Sequence, residues 1–266
     1  MRGVGDTALN ALSFGADALF AAHRPYEPVV LPNVWDVGSA RIVQEAGFPF
    51  VATSSRAIAA VLGESDNDAS DPDLIFDFVA RIARGVSCPV TADLEAGYGL
   101  TAANLVGQML AAGVVGCNLE DTDHHGQAAL VDADRQAGFL AAVRAAAEAT
   151  GVHIIINARV DTFIRHVGGK DEQLKEAVRR GRLYLEAGAD CVYPIALADP
   201  DQIATIVEAL PGPVNVLVRR GGLPVDELSA LGVARISFAS GLYEHVADRL
   251  RSTVASLSKG ASLDEV

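Results

Sequence analysis

LAAGVVGCNLED, residues 110–121, carries the pattern that decides the fold: the end of a helix, a glycine, and then a short apolar run. The same order recurs in QEAGFPFVATSS (44–55), LEAGADCVYPIA (185–196) and SALGVARISFAS (229–240). A glycine after a helical segment is typical of a helix C-terminus. Short apolar runs are typical of parallel strands that are buried on both faces. The chain is therefore predicted to alternate helices with parallel strands.

Eight apolar runs have the length and composition of strands: 28–34, 49–55, 89–95, 116–121, 153–159, 191–196, 213–218 and 235–240. Helical patterns separate and follow them: 38–46, 73–85, 101–112, 134–149, 172–187, 200–209, 224–231 and 241–257. This alternation predicts a (β/α)₈ barrel, an α/β fold, as a single domain over residues 1–266. Residues 1–25 are expected to form a helical extension and residues 258–266 a loose tail. An open doubly wound sheet is disfavoured because no G-x-G-x-x-G turn follows the first strand.

Composition narrows the classes of partner. The 266 residues are half hydrophobic, which is enough for one large core. The net charge of −13 argues against nucleic acid or an anionic membrane as a partner. With neither a secretory signal pattern nor a spanning segment, a cytoplasmic protein is expected. Cys88, Cys117 and Cys191 have no metal-type spacing, and buried reduced thiols are favoured over reactive or ligating ones.

Polar side chains follow the predicted strands at the end where barrel enzymes place their active sites. In TADLEAGYG (91–99), Asp93 and Glu95 lie two residues apart on a strand, so they share a face. Glu120 ends the neighbouring strand, and Gly97 and Gly99 permit a sharp turn. The other polar strand ends include Trp35, Thr53, Ser54, Ser55, Asn157, Arg159, Asp161 and Asn215. A purely structural barrel has no need of so many polar side chains at one end of its strands.

Asp93, Glu95 and Glu120 are expected to repel one another unless a cation lies among them. An all-oxygen ligand set suits Mg²⁺ or Mn²⁺. A network of ion pairs is the alternative interpretation of the acids. Arg159 is a candidate two-pronged clamp for a substrate carboxylate, and pairing with Glu120 or Asp161 is its structural alternative.

Seven stretches resemble the isocitrate lyase/phosphoenolpyruvate mutase superfamily. They are LPNVWDVGSARIVQEAGFPFVATSS (31–55), LGESD (62–66), TADLEAGYG (91–99), VGCNLEDT (115–122), INARVDTF (156–163), YLEAGADCVYPIA (184–196) and ARISFASGLY (234–243). The resemblance implies a barrel whose final helix is swapped between subunits of a dimer or tetramer. It also implies Mg²⁺, an α-keto acid or dicarboxylate ligand, and cleavage of a C–C or P–C bond through an enolate held by the metal.

The resemblance assigns roles to individual residues. Asp93 matches the direct metal ligand, and Glu95, Glu120 and Asp66 match acids that bind the ion through water. The matching substrate-binding positions are Thr53, Ser54, Ser55, Arg159 and Asn215, and Trp35, at the end of the first strand, is a further candidate. The family usually has Ser-Gly where this chain has Ser54-Ser55, so Thr53 is an alternative equivalent of the family serine. Glu120, Asp66 and Arg159 are also candidate catalytic groups.

The loop after the fourth strand departs from the family pattern. Isocitrate and methylisocitrate lyases carry a cysteine there as general acid, whereas DTDHHGQAALVDADRQ (121–136) contains neither Cys nor Lys. His124 and His125 are candidate acids or ligands, and two solvated histidines are the plainer interpretation.

The sequence therefore predicts a Mg²⁺-dependent lyase or mutase for a small α-keto acid or hydroxy-diacid. An oxaloacetate-type decarboxylase or a phosphonopyruvate hydrolase is the alternative within the same chemistry. A keto-acid-binding protein with little catalysis is the alternative from another class. The sequence does not identify the substrate.

Overall fold

The computed structural model describes residues 5–126 and 128–265. Its strands are β1 (Val29–Leu31), β2 (Asn33–Val34), β3 (Val51–Thr53), β4 (Val90–Asp93), β5 (Gly116–Glu120), β6 (Ile155–Val160), β7 (Cys191–Pro194), β8 (Asn215–Leu217) and β9 (Arg235–Ser237). Its α-helices are α1 (Asp6–Ala22), α2 (Val37–Glu45), α3 (Ser55–Leu62), α4 (Pro72–Arg84), α5 (Ala102–Ala112), α6 (Ala133–Glu148), α7 (Lys170–Glu186), α8 (Pro200–Ala209), α9 (Val225–Ala230) and α10 (Gly241–Leu257). A 3₁₀ turn, Leu263–Glu265, lies in the predicted tail.

The strands pair in parallel in two sets, β2-β3-β4-β5-β6-β7 and β1-β9-β8. The sets are joined twice. An isolated parallel bridge links Val192 to Val214, and β1 and β2 are successive segments of one extended run. Pro32 separates those two segments, because proline has no N–H to donate to a ladder. Each of the eight predicted strand regions contains a strand, and the arrangement is an α/β fold consistent with a (β/α)₈ barrel.

Helix α3 was not predicted, because the run 49–55 was interpreted as one strand. Strand β3 ends at Thr53, and the side chain of Ser54 accepts a hydrogen bond from the backbone N–H of Ala57. A serine in this position stabilises a helix start. The chain therefore turns from strand to helix within two residues, and Ser54 and Ser55 lie at the mouth of the barrel.

Helix α1 packs at the opposite end, where the strands begin. Leu19 and Ala16 are fully buried. A Cβ on Gly15 would lie 3.1 Å from Pro89 and 3.2 Å from Val115, which precede β4 and β5. These contacts would be tight for any side chain, so glycine favours the close approach of the helix to the strand starts. Helix α1 thus forms a floor beneath these strands.

Helix α10 makes little contact with the barrel. None of its 17 residues is buried. Its exposed apolar side chains recur at helical spacing: Val246, Leu250, Val254 and Leu257. An apolar stripe on one face of a helix is normally covered by another element. Among the described residues, no helix combines the length and apolar character needed to cross a membrane.

Candidate functional site

The ends of the strands open into two adjoining cavities. The larger has a volume of about 600 Å³ and the smaller about 180 Å³. Four residues line both: Arg56, Asp66, Arg159 and Ile164. The larger cavity is also lined by the predicted site residues Ser54, Ser55 and Asp93, and the smaller one by Glu95, Glu120 and His124. Eight of the predicted site residues are thus brought together.

Asp93, the last residue of β4, has both carboxylate oxygens held by the protein. Its Oδ2 accepts hydrogen bonds from the backbone N–H of Ser55 at 3.2 Å and from the Ser55 hydroxyl at 2.8 Å. Its Oδ1 accepts one from Nδ2 of Asn118 at 3.3 Å. Three donors fix the plane of the carboxylate at the cavity wall.

Glu95 lies in a turn whose backbone is mostly left-handed: φ is 49° at Glu95, 93° at Gly97, 54° at Tyr98 and 66° at Gly99. Left-handed φ costs a residue with a side chain roughly 1–2 kcal/mol. The turn is held from outside by a neighbouring loop. Oε2 of Glu95 accepts backbone N–H bonds from Asn67, at 2.8 Å, and Asp68. Burial raises the pKa of Glu95 to about 7, against the effect of the Asp68 N–H.

Arg159 on β6 is the cation of the site. Its Nε and Nη2 donate to Asp161 at 2.7 and 2.8 Å, and its Nη1 contacts Glu120. The ion pairs predicted as the structural role of Arg159 are therefore both present, since Glu120 and Asp161 each bind it. The guanidinium has five N–H donors, so donors remain for a ligand, and Arg159 also lines both cavities.

The two loop histidines differ in their surroundings. His124 is only 10% exposed, and its Nε2 lies 2.5 Å from Oε1 of Glu120. His125 is 68% exposed, and its Nε2 lies 3.1 Å from Oδ2 of Asp68. Burial alone would lower the pKa of His124, but contact with Glu120 outweighs it and raises that pKa. Only His124 faces the smaller cavity.

A buried network behind Arg159 fixes its partner Asp161. Thr122 donates to Oδ2 of Asp161 at 2.6 Å, and the Asp161 backbone N–H donates to Asp121 at 2.9 Å. Asp121 in turn accepts bonds from Arg180 at 3.0 Å and from the Tyr184 hydroxyl at 2.7 Å, both on α7. Asp121, Arg180 and Tyr184 line neither cavity, so the position of Arg159 is set in part by groups behind the cavity wall.

Four predicted site residues do not line either cavity. Thr53 is buried, and its hydroxyl accepts a bond from the Asp93 backbone N–H at 3.0 Å. Trp35 packs edge-on against Tyr243. Asn215 is buried and accepts a bond from Ser237 at 3.2 Å. His125 is the fourth. Their predicted roles in binding and catalysis stay predictions.

The acids suit a hydrated divalent cation better than a closed cage. Within the described ranges, no group of three or more His, Cys, Asp and Glu side chains is arranged to surround an ion. Burial and the nearby charge of Asp93 raise the pKa of Asp66, as expected where carboxylates crowd without a cation. Mg²⁺ commonly binds one or two carboxylates and keeps several waters. Asp93 and Asp66 both line the larger cavity, and they fit this binding of a partly hydrated ion by two carboxylates.

Two parts of the site were missed from the sequence. One is the loop at Asn67 and Asp68 that binds Glu95. The other is the pair of Arg180 and Tyr184 on α7, both of which donate hydrogen bonds to Asp121 behind Arg159. The spacing of Arg180 and Tyr184, four residues apart on one helix face, is a signal that does point to a shared partner.

Comparison with known proteins assigns the family. A family model described as phosphoenolpyruvate phosphomutase matches residues 19–258. The chain belongs to this family. An uncharacterized protein of Mycobacterium tuberculosis is 32% identical over 230 residues, which is 83% of each chain. A probable 2-methylisocitrate lyase of Corynebacterium glutamicum is 31% identical over 69% of this chain and 60% of its own.

Solved structures support the same family. A putative phosphonomutase from Burkholderia cenocepacia superimposes with a TM-score of 0.86 and 37% identity, over 91% of this chain and 99% of its own. Phosphonopyruvate hydrolase in complex with oxalate and Mg²⁺ gives a TM-score of 0.79 and 26% identity, over 95% and 89%. The predicted superfamily is confirmed, and its named members include lyases, mutases and a hydrolase.

Proposed function

We propose that the protein is a Mg²⁺-dependent lyase or mutase acting on a small α-keto acid or hydroxy-dicarboxylate. The observation that carries the proposal is that Asp93, Asp66 and Arg159 line one cavity. A site with crowded carboxylates and a fixed guanidinium suits a ligand that is itself an anion chelating a cation. Phosphonopyruvate hydrolase, a structural relative, forms a complex with oxalate and Mg²⁺.

In this proposal Asp93 is the direct ligand of the ion, and Asp66, Glu95 and Glu120 bind it through water. Once bound, the ion supplies positive charge that stabilises an oxyanion developing on the substrate. The Ser54–Ser55 segment, which lines the larger cavity at the start of α3, holds the keto-acid end. The carboxylates of Asp93 and Glu95 are held by hydrogen bonds within the protein, so the site needs little rearrangement to receive the substrate.

Arg159 binds the substrate carboxylate with the N–H groups that Asp161 and Glu120 leave free. Asp161 occupies the Nε–Nη2 edge of the guanidinium. The N–H groups that remain for the substrate carboxylate are therefore those on the terminal nitrogens, Nη1 and Nη2. Negative charge that develops on a substrate oxygen then faces a cation whose position is already set. His124, on the smaller cavity, is the candidate proton donor of the loop.

Two other functions use the same groups. Decarboxylation of an oxaloacetate-like acid, or hydrolysis of a phosphonate, needs the same charge stabilisation. Either reaction depends less on proton donation by a general acid. A keto-acid-binding protein with little catalysis is favoured by the loop that lacks the lyase cysteine. Turnover assays beside oxalate and oxaloacetate titrations separate these. Saturable binding without metal-dependent turnover of any tested acid would support the binding protein.

Replacing Asp93 with Asn is the direct test of the metal site. Asn keeps the shape of the side chain and removes the charge, so we expect Mg²⁺ binding to fall below detection while the fold persists. Isothermal titration calorimetry with Mg²⁺ measures the affinity, and circular dichroism checks the fold. Asp17→Asn, at an exposed position on α1, is the matched control. Undiminished Mg²⁺ affinity in Asp93→Asn would remove Asp93 as the ligand.

Arg159→Lys tests the carboxylate clamp. Lys keeps a positive charge but loses the planar fork that Asp161 and Glu120 hold. We expect the affinity for oxalate, measured with Mg²⁺ present, to fall by about tenfold or more. Arg179→Lys, half-exposed on α7, should bind oxalate as the parent does. Equal oxalate affinity in Arg159→Lys and the parent would contradict the clamp.

Cleavage of isocitrate and 2-methylisocitrate should be negligible. Cys117 and Cys191 are fully buried in strands, and burial raises the pKa of each to about 12, so neither replaces the loop cysteine. A donor displaced by about an ångström can cost roughly a hundredfold in rate. We expect glyoxylate and pyruvate release below about 1% of that of a 2-methylisocitrate lyase assayed in parallel. Release at ordinary lyase rates would refute this, and His124→Ala would then identify the donor.

We also propose that α10 is swapped between subunits of a dimer or tetramer. The support is its apolar stripe and the lack of any buried residue along it. The start of α10 also lines the larger cavity, through Ser240, Gly241, Glu244 and Asp248. The proposed contact between subunits therefore lies next to the candidate site.

Leu250→Asp should therefore lower the oligomeric state, because it puts a charge in the centre of the stripe. Light scattering after size exclusion measures the mass of parent and variant. Ile42→Asp, an equally exposed apolar position on α2, is the control and should leave the mass unchanged. A monomeric parent, or a Leu250→Asp variant with the mass of the parent, would argue against the swap.

A further inference from the structure

Arg235 on β9 is a buried cation that the proposed reaction does not use. Its residue is 1% exposed. Within the part of the chain that the structure describes, no carboxylate forms an ion pair with it. Its polar contacts are the Asn118 side-chain oxygen, 3.3 Å from Nη2, and Nε2 of His23, 3.5 Å from Nη1. A buried charge is costly unless something offsets it.

Asn118 on β5 connects Arg235 to Asp93. Its Oδ1 accepts hydrogen bonds from Arg235 and, at 2.8 Å, from Nδ2 of Asn157. Its Nδ2 donates to Oδ1 of Asp93 at 3.3 Å. The three groups form a chain from the floor of the barrel to its mouth, with the cation at one end and the carboxylate at the other.

The charges at the two ends determine which way the Asn118 amide points. Arg235 can only donate, and an ionised Asp93 can only accept. In the reverse orientation, the amide N–H₂ would face the guanidinium and the amide oxygen would face the carboxylate. Both contacts would then be repulsive. With Arg235 in place, Asn118 has a single favourable orientation, and that orientation gives Asp93 a donor.

We propose that Arg235 is a positioning residue that, through Asn118, holds the Asp93 carboxylate in its metal-binding orientation. The inference rests on the proposed role of Asp93 as metal ligand. It makes Arg235 and Asn118 outer supports of the metal site, although Arg235 never reaches the cavity. Loss of such supports commonly weakens metal binding 10- to 100-fold.

The sign of the effect separates this role from the others that Arg235 could have. A cation that acted only by its electric field would repel Mg²⁺, so its removal would tighten Mg²⁺ binding. A cation that only filled the core would leave Mg²⁺ affinity unchanged. A positioning role predicts weaker binding when Arg235 is removed, because Asp93 loses its fixed orientation.

The experiment is a Mg²⁺ titration by calorimetry, without substrate, on Arg235→Met, Asn118→Leu and the double variant. Methionine fills similar volume without charge, and apolar replacement of buried charges is often tolerated. We expect each single variant to bind Mg²⁺ about tenfold more weakly. We expect the double variant to be no weaker than the weaker single one, because the two residues act in one chain.

Arg144→Met is the matched control. Arg144 is also buried, but it binds Asp190 and the Gly188 carbonyl away from the cavities, so its loss should lower stability and leave Mg²⁺ affinity unchanged. If Arg235→Met does not fold, Arg235→Lys keeps a buried cation while moving the donor from Asn118, and its Mg²⁺ affinity should also fall.

Mg²⁺ binding that is unchanged or tighter in the Arg235 variants, or additive losses in the double variant, would overturn the inference. Its failure is distinct from that of the proposed function. If Asp93→Asn abolishes Mg²⁺ binding but Arg235→Met does not alter it, only the positioning role is lost. If Asp93→Asn binds Mg²⁺ normally, the metal site itself is wrong.

Discussion

The guanidinium of Arg159 holds Glu120 and Asp161 side by side, and the rest of the site is arranged around that contact. Two buried carboxylates that contact one guanidinium would repel each other strongly without that cation between them. With Arg159 in place, Glu120 can face the smaller cavity and also contact His124. The remaining acids crowd the same mouth, and that excess of negative charge is what makes a divalent cation a chemically suitable partner.

The barrel supplies the precision that such a cluster needs. Asp93, Glu120 and Arg159 are on three adjacent parallel strands, and their registers are fixed by the Asp93–Asn118 and Glu120–Arg159 pairings. Groups on strands are held more firmly than groups on loops. The network from Asp161 through Asp121 to α7 fixes Arg159 from behind. Toward the strand starts, hydrogen bonds of Asn118 link Asp93 to the buried Arg235.

Strands and most helices could be predicted because each apolar run after the first follows a helical segment and a glycine. Helix α3 could not, because the polar residues TSSR (53–56) in FVATSSRAIAAVL look like the end of a strand, and only the Ser54 cap marks the start of a helix. The charged strand ends were visible in sequence. The contact of Glu95 with the loop at Asn67 joins residues 28 apart, and no local pattern encodes it. Likewise, two adjacent histidines look alike until the fold buries one of them.

Glu95 must satisfy two requirements at once: a left-handed backbone and a carboxylate that binds the neighbouring loop. Glycine would relax the φ of 49° but would remove the group that binds the loop at Asn67 and Asp68. A β-branched residue would fit the backbone worse still. Anyone transplanting this acid cluster into a designed barrel must therefore copy the turn and the clasping loop together with the side chains. Grafted carboxylates alone would reproduce the composition of the site without its shape.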